Sequence, residues 1–127
     1  MVFAFLIGRI LFGGFFLKNA YKHLVKTNAM VGYAASKGVP SPALAIRVSG
    51  VLLLIGGLSM IFGVYTFWGA IAIALFLIPV SFKMHPFWKV QDPMGKMGEC
   101  VQFDKNMALL GAALMTMAIA TPWLYSL

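Results

Sequence analysis

The sequence is poor in cysteine, in acidic residues and in charge of either sign. Charged residues make up 10% of the 127 positions, whereas a typical soluble domain carries about 25%, so the composition excludes an ordinary soluble domain. The single cysteine, Cys100, excludes an internal disulfide and a CxxC redox pair, and therefore argues against a thiol oxidase of the usual kind. Nucleotide, flavin and iron–sulfur binding motifs are also missing, so the chain has no self-contained catalytic motif.

Apolar residues take the place of the missing charge and make up 61% of the chain. Four apolar stretches approach or reach the length of about 20 residues with which a helix crosses a bilayer. They predict an all-α, integral membrane four-helix bundle that forms a single domain over residues 1–127. The spans are expected at about residues 2–22, 43–64, 66–85 and 102–125. A short interfacial helix is predicted between spans 1 and 2, with Thr27 or Asn28 as its N-cap and Gly38 as its stop signal.

The basic residues lie almost entirely beside two of the three connections between these spans. All ten lysines and arginines except Arg9 flank the first and third connections, and the net charge is +7. Because loops rich in Lys and Arg stay on the cytoplasmic side, both long connections are expected in the cytoplasm and both termini outside, in a bacterial inner (cytoplasmic) membrane. These cations suit anionic lipid headgroups, so the expected partner is the lipid bilayer and not nucleic acid.

Arg9 interrupts the first apolar run about two helical turns from its start. A buried arginine costs roughly 2.5–3.5 kcal/mol on insertion scales and normally has a partner or a function. The acidic residues all fall in or beside the third connection, on the other side of the predicted bundle: Asp92, Glu99 and Asp104. Three interpretations stay open. Arg9 extends to the outer headgroups, it donates to backbone carbonyls or to hydroxyls such as Ser59 or Thr116, or it binds an anionic or carbonyl ligand or an acid of another subunit.

Two histidines are predicted at the opposite end of the bundle from Arg9. His23 shares a helix face with Arg9 and small residues, so it should face the interior, and His85 ends the third span at the same level. Asp104 and Asn106 enter the fourth helix there. Convergence of these four side chains gives the candidate site, in which the histidines pass protons to a bound quinone, and Arg9 is a further candidate quinone contact. The spacing carries no metal signature, no haem or nucleotide site is evident, and a hydrogen-bonded interfacial histidine is the ordinary alternative.

Several motifs in this sequence resemble those of the DoxX family of small four-span membrane proteins. The matching pieces include Gly8 to Leu11, GYAASKGVP at residues 32–40, MHPFW at 84–88 and FDKNMALLG at 103–111. The likeness runs in order along nearly the whole chain, and the GYAASKGVP segment is the specific part of it. Asp104 is a departure, because similar proteins tend to have an apolar residue there. Its extra charge indicates a partner or ligand particular to this protein.

The resemblance implies a membrane subunit that serves quinone-linked electron transfer and contacts quinone. The family is named after a subunit of thiosulfate:quinone oxidoreductase, so the chain is expected to be at most a subunit of a membrane oxidoreductase. Two alternatives remain: a non-catalytic accessory subunit of a larger respiratory or photosynthetic complex, and a small oligomeric transporter. The transporter is the weaker alternative, because the spans lack the acids that are typical of ion pathways. Other membrane subunits, or self-association, are the expected protein partners.

Overall fold

The structure, a computed structural model, describes all residues from 1 to 127 and contains helices but no strands. The long helices are α1 (Val2–Val25), α3 (Pro42–Phe62), α4 (Thr66–Met84) and α5 (Pro93–Thr116), and the shorter elements are α2 (Thr27–Ser36) and a 3-10 turn (Phe87–Lys89). The predicted all-α class is confirmed. Three helices are long and apolar enough to cross a membrane: Val2–Val25, Pro42–Phe62, and α4 together with its extension to Lys89. These helices make the chain an integral membrane protein.

Helix α2 follows α1 after only one intervening residue. It covers the place of the predicted interfacial helix, but Lys26 is its N-cap residue and Thr27 is already helical. The Thr27 hydroxyl donates backwards, to the His23 carbonyl at 2.5 Å. The predicted N-cap at Thr27 or Asn28 is therefore wrong, because this hydroxyl bonds the end of α1 and does not cap α2.

The fourth long helix begins earlier and ends earlier than its apolar pattern suggests. It starts at Pro93, where the Asp92 carboxylate accepts a hydrogen bond from the Gly95 N–H at 2.8 Å, a normal N-cap with proline in the first turn. It ends at Thr116, after which the backbone tightens into i to i−3 hydrogen bonds. Residues 117–127 form a non-helical tail, although the predicted fourth span includes most of them.

Helices α1 and α3 approach so closely that their contact excludes side chains. A Cβ placed on Gly13 would lie 2.7 Å from the Gly57 carbonyl oxygen, and one on Gly57 would lie 2.9 Å from the Gly13 oxygen. Glycine at both positions lets the two backbones meet, which is how helices associate in lipid. The core beside this contact is made by Phe16, Leu53, Met60, Ile73 and Leu77.

The long helices pack in the order α1, α3, α4, α5, and α1 has no extended backbone contact with α5. We name the two ends of this bundle by what they carry. The loop end carries α2 and the 3-10 turn, and the tail end carries the 63–65 connection and residues 117–127. Because α1 and α5 meet mainly through side chains, space remains between them at both ends.

Candidate functional site

A cavity of about 360 Å³ lies at the loop end, with walls from all five helices. Its lining is mostly apolar and includes Phe15, Leu53, Phe76 and Leu77. Pro79 also lines it and has no N–H to donate to the Leu75 carbonyl one turn earlier, another residue of this wall. The volume falls in the range of small-molecule sites, roughly 300–1,000 Å³, so we describe the polar groups of this cavity next.

His23 lies in the wall of the cavity and is only 8% exposed. Its Nδ1 is 2.8 Å from the carbonyl oxygen of Asn19, one turn earlier in α1. A carbonyl only accepts, so Nδ1 carries the proton, and Nε2 of the neutral ring is left as an acceptor. The ring edge packs against Phe76 with centroids 5.6 Å apart. Because Nε2 has no hydrogen-bond partner within the chain, it is available to a ligand.

Asn106 contributes the second buried polar group of the same cavity. It is 5% exposed, and its side-chain amide makes no hydrogen bond within the chain. The amide is not among the fully buried atoms that lack a partner, so its nitrogen and oxygen are accessible from the cavity that Asn106 lines. Asn106 can donate through its NH₂ group and accept through its carbonyl oxygen. It thus offers both kinds of hydrogen bond to a molecule inside the cavity.

His85 reaches the cavity from the end of α4 and is held there by Glu99. The His85 Nδ1 lies 2.8 Å from the Glu99 Oε2, and the other carboxylate oxygen accepts from the Tyr33 hydroxyl at 3.3 Å and lies 3.7 Å from the Lys37 Nζ. Burial alone would raise the pKa of Glu99, but the His85 hydrogen bond and the Lys37 charge outweigh it and hold that pKa below its ordinary value. We call these four residues the loop-end cluster.

Sequence reasoning placed His85 in the site but missed its three partners in the loop-end cluster. Tyr33 and Lys37 belong to the GYAASKGVP segment and lie one turn apart, so their shared face was visible in the sequence. Glu99 sits 66 residues beyond Tyr33, and no local pattern joins the two. The one feature of the sequence that pointed to Glu99 was the shortage of acidic residues. With three acids and ten lysines and arginines, each acid is expected to have a basic partner.

Asp104 does not join the candidate site. It is exposed, does not line the cavity, and accepts a weak hydrogen bond from the Cys100 Sγ at 3.6 Å. Each residue of a helix is rotated by about 100° about the helix axis from the one before it. Asp104 and Asn106 are two residues apart, so they face nearly opposite sides of α5. Inclusion of Asp104 beside Asn106 was therefore a geometric error of the sequence-based hypothesis.

Arg9 lies at the tail end, about 21 Å along α1 from His23 at 1.5 Å per residue. It is 4% exposed, and its guanidinium donates to the carbonyl oxygens of Met60 at 3.2 Å, Ile61 at 2.7 Å and Leu124. Of the three interpretations, the structure shows donation to backbone carbonyls. The hydroxyls of Ser59 and Thr116 are not its partners, because each donates to a carbonyl near its own helix end.

Aromatic rings complete the surroundings of Arg9. The guanidinium carbon lies 5.6 Å from the Phe5 ring centre and 5.5 Å from that of Trp123, within the usual range of cation–π contacts. Trp123 is 3% exposed, and its indole N–H is the one fully buried side-chain nitrogen or oxygen without a partner. An apolar groove of about 290 Å³ adjoins these residues. The tail therefore packs around Arg9, and the quinone contact predicted for Arg9 remains a prediction.

Comparison with known proteins gives one match. The model of a protein family described as DoxX matches residues 4–86 of the 127. The matched part contains His23, the GYAASKGVP segment and His85, and it ends before Glu99 and Asn106. Neither a curated protein nor a solved structure matches the chain.

Proposed function

This chain belongs to the DoxX family, and from that premise we propose that it is a membrane subunit whose loop-end cavity binds the ring of a quinone. In this proposal the protein takes part in quinone-linked electron transfer, and the electrons are exchanged with a partner protein. The observation that carries it is the pair of largely buried residues, His23 and Asn106, whose Nε2 and amide make no hydrogen bond within the chain and line a mostly apolar cavity.

The two groups match the two redox forms of a quinone ring. A quinone has carbonyl oxygens that only accept, and the Asn106 NH₂ group donates. A quinol has hydroxyls that donate, and the neutral His23 Nε2 accepts. Reduction of the quinone takes up two electrons and two protons, so the site must also exchange protons with water. His85 lines the same cavity and bonds Glu99 on its other side, which suits it to carry a proton between the ring and the aqueous surface.

We also propose the membrane arrangement that the predicted four-span bundle requires. The part of α5 from about residue 102 to Thr116, together with the tail, forms the fourth span beside α4. The charged start of α5 then lies outside the hydrocarbon layer, and α2 lies at the membrane surface. The loop end carries nearly all the basic residues and faces the cytoplasm, as the distribution of Lys and Arg favours.

The test measures quinone bound by the purified protein. We expect wild-type protein, isolated in mild detergent, to retain quinone in stoichiometric amount and to bind an added short-chain quinone. Replacement of the cavity amide in Asn106→Leu should lower affinity about tenfold, since one hydrogen bond to a buried group is lost. The matched control is Asn28→Leu, which changes an exposed asparagine outside the cavity. Equal quinone binding by wild type and both variants contradicts a site in this cavity.

A second candidate function is that of an accessory subunit in a larger membrane complex. The favouring observation is the outer face of α5, where Ala108 and Gly111 are exposed and a Cβ added to Gly111 would meet nothing within 4 Å. Small residues of this kind allow close helix contact in lipid. Isolation from native membranes followed by mass spectrometry separates the two functions: an accessory subunit retains a fixed set of partners and binds no quinone.

A further inference from the structure

The lining of the loop-end cavity is basic, and the only carboxylate against its wall, Glu99, is bonded to His85 and Tyr33. Its lining includes two lysines and two histidines, and it contains no aspartate and no glutamate. We propose that the cavity selects a ring ligand that carries a negative charge, such as a quinone with an ionised ring hydroxyl. This inference rests on the proposed quinone site and names the class of quinone that fits it.

Lys83 and Lys105 stand at the rim of the cavity without an acidic partner. Neither ammonium group is part of a salt bridge. The Lys105 Nζ donates to the Gln102 Oε1 at 2.7 Å and lies 5.6 Å from the centre of the Phe15 ring. Lys83 lies beneath the α2–α3 loop, where a Cβ on Gly38 would be 3.4 Å from its Nζ. Both amines can therefore reach a ligand that fills the cavity.

The three acids of the chain do not neutralise this rim. Asp92 caps α5, Asp104 is exposed beside Cys100, and Glu99 is occupied by His85, Lys37 and Tyr33. Next to the apolar walls, two uncompensated ammonium groups produce a stronger field than they would in water. An anion at the rim thus replaces the acidic partners that the chain does not supply.

The depth of the polar groups favours a ring over a simple ion. Asn106 and His23 are more than nine-tenths buried, and both lysines are exposed at the rim. A ligand that reaches both levels needs polar atoms on opposite sides of an apolar body. A ring with one ionised hydroxyl and a distant carbonyl has this form. Phosphate is too small to span the two levels, and it lacks the apolar body.

The test compares two naphthoquinones of nearly equal size. The acidic probe is 2-hydroxy-1,4-naphthoquinone, which is ionised at neutral pH, and the neutral probe is 2-methoxy-1,4-naphthoquinone. Binding is measured by calorimetry on the full chain in phosphatidylcholine nanodiscs, with empty nanodiscs as the blank. We expect the acidic probe to bind about tenfold more tightly, because hydrogen bonds to charged groups are the stronger ones.

Variants locate the source of this preference. Lys83→Gln and Lys105→Gln should each reduce binding of the acidic probe far more than binding of the neutral probe. The matched control is Lys89→Gln, since Lys89 is exposed and lies outside the cavity. An equal loss in Lys89→Gln would show general attraction to a basic surface and would overturn the inference. Circular dichroism confirms that each variant is folded.

The outcomes separate this inference from the function on which it rests. If both probes bind equally, selection of an anion is wrong and the quinone site stands. If neither probe binds, the quinone site itself fails. Phosphatidylglycerol added to the nanodiscs provides the last comparison. Displacement of the acidic probe by this lipid, without any effect on the neutral probe, would assign the rim to a lipid headgroup and overturn selection of an anionic ring, while the quinone site stands.

Discussion

Arg9 shows how one residue can be charged and still stable inside a membrane protein. Met60 and Ile61 belong to the last turn of α3, whose carbonyls have no helical donor, and Arg9 donates to both. The positive charge also lies at the negative end of the α3 dipole. Gly63 makes room for it, because its φ of 71° suits glycine and a Cβ there would lie 2.7 Å from the Arg9 Nη2. Arg9 therefore acts as a C-cap supplied by another helix.

A substitution of Arg9 should reduce stability more than quinone binding. We expect Arg9→Leu to lower the free energy of unfolding by about 2–4 kcal/mol, since several hydrogen bonds to a charged group are lost at once. Arg9→Lys should recover part of this loss. The measurement is the thermal midpoint in detergent, together with quinone content per folded protein. Arg47→Leu, at an exposed position of α3, is the control, and a loss of quinone without a loss of stability would instead make Arg9 a ligand contact.

Glu99 is the residue that should make stability depend on pH. Its pKa is lowered in the folded protein, so the cluster stabilises the fold fully above the unfolded pKa of about 4.3. This contribution is lost as pH falls through the lower, folded pKa. We expect Glu99→Gln to have a lower thermal midpoint than wild type at pH 5–8, and the difference to shrink below about pH 4. The control is Asp104→Asn, on the exposed face of the same helix, which should have the thermal midpoint of wild type at every pH. If Glu99→Gln also matches wild type at pH 5–8, the cluster does not contribute to stability.

At the scale of whole elements, the contact between α1 and α3 is the most extensive in the bundle. Gly13→Ala would place a methyl group 2.6 Å from the Ile61 side chain and 2.7 Å from the Gly57 oxygen. We expect a loss of about 1–3 kcal/mol in the free energy of unfolding from overpacking, measured as a lower thermal midpoint in detergent. Gly14→Ala is the matched control, because nothing lies within 4 Å of its Cβ. It should be neutral or slightly stabilising, as alanine favours helix.

The elements that the sequence predicts well are those defined by apolar length. Helices α1, α3 and α4 lie close to the predicted spans, because a long apolar run has few alternatives in lipid. The limits of α5 were missed for two reasons. Its start depends on the Asp92–Pro93 cap, which falls among loop-forming residues. Its end depends on the tail, where Trp123 and the Leu124 carbonyl pack against Arg9 of the first helix.

The candidate site was predictable in part and for the same reason. His23, His85 and Asn106 lie together because helix ends at one side of a bundle share a level, which sequence spacing can show. Glu99 was missed because its contacts with His85 and Tyr33 join segments that are remote in the sequence. Asp104 lies outside the cavity because it faces nearly the opposite side of α5 from Asn106. Distances across the bundle decide such cases, and a single sequence does not contain them.

The whole molecule has a sidedness that its native cysteine can report. Cys100 lies at the loop end, so we expect a membrane-impermeant maleimide to label it in inside-out vesicles and not in intact cells. Burial, then the nearby Asp104, raises the pKa of this thiol, and labelling should be run at mildly alkaline pH because the thiolate reacts. The control is a Cys100→Ser, Ser126→Cys double variant, whose thiol at the tail end should label from the opposite side. Labelling of Cys100 in intact cells would reverse the proposed orientation.

The scarcity of backbone contact between α1 and α5 also bears on how the proposed ligand would enter and leave the cavity. Side chains make most of the contact between α1 and α5, and side chains change rotamer far faster than packed helices slide past one another. A hydrophobic molecule already dissolved in the bilayer can then enter sideways, without crossing water. The rate of ligand exchange between α1 and α5 should therefore depend on the fluidity and lateral pressure of the surrounding lipid. The same protein would then turn its ligand over faster in a fluid membrane than in an ordered one.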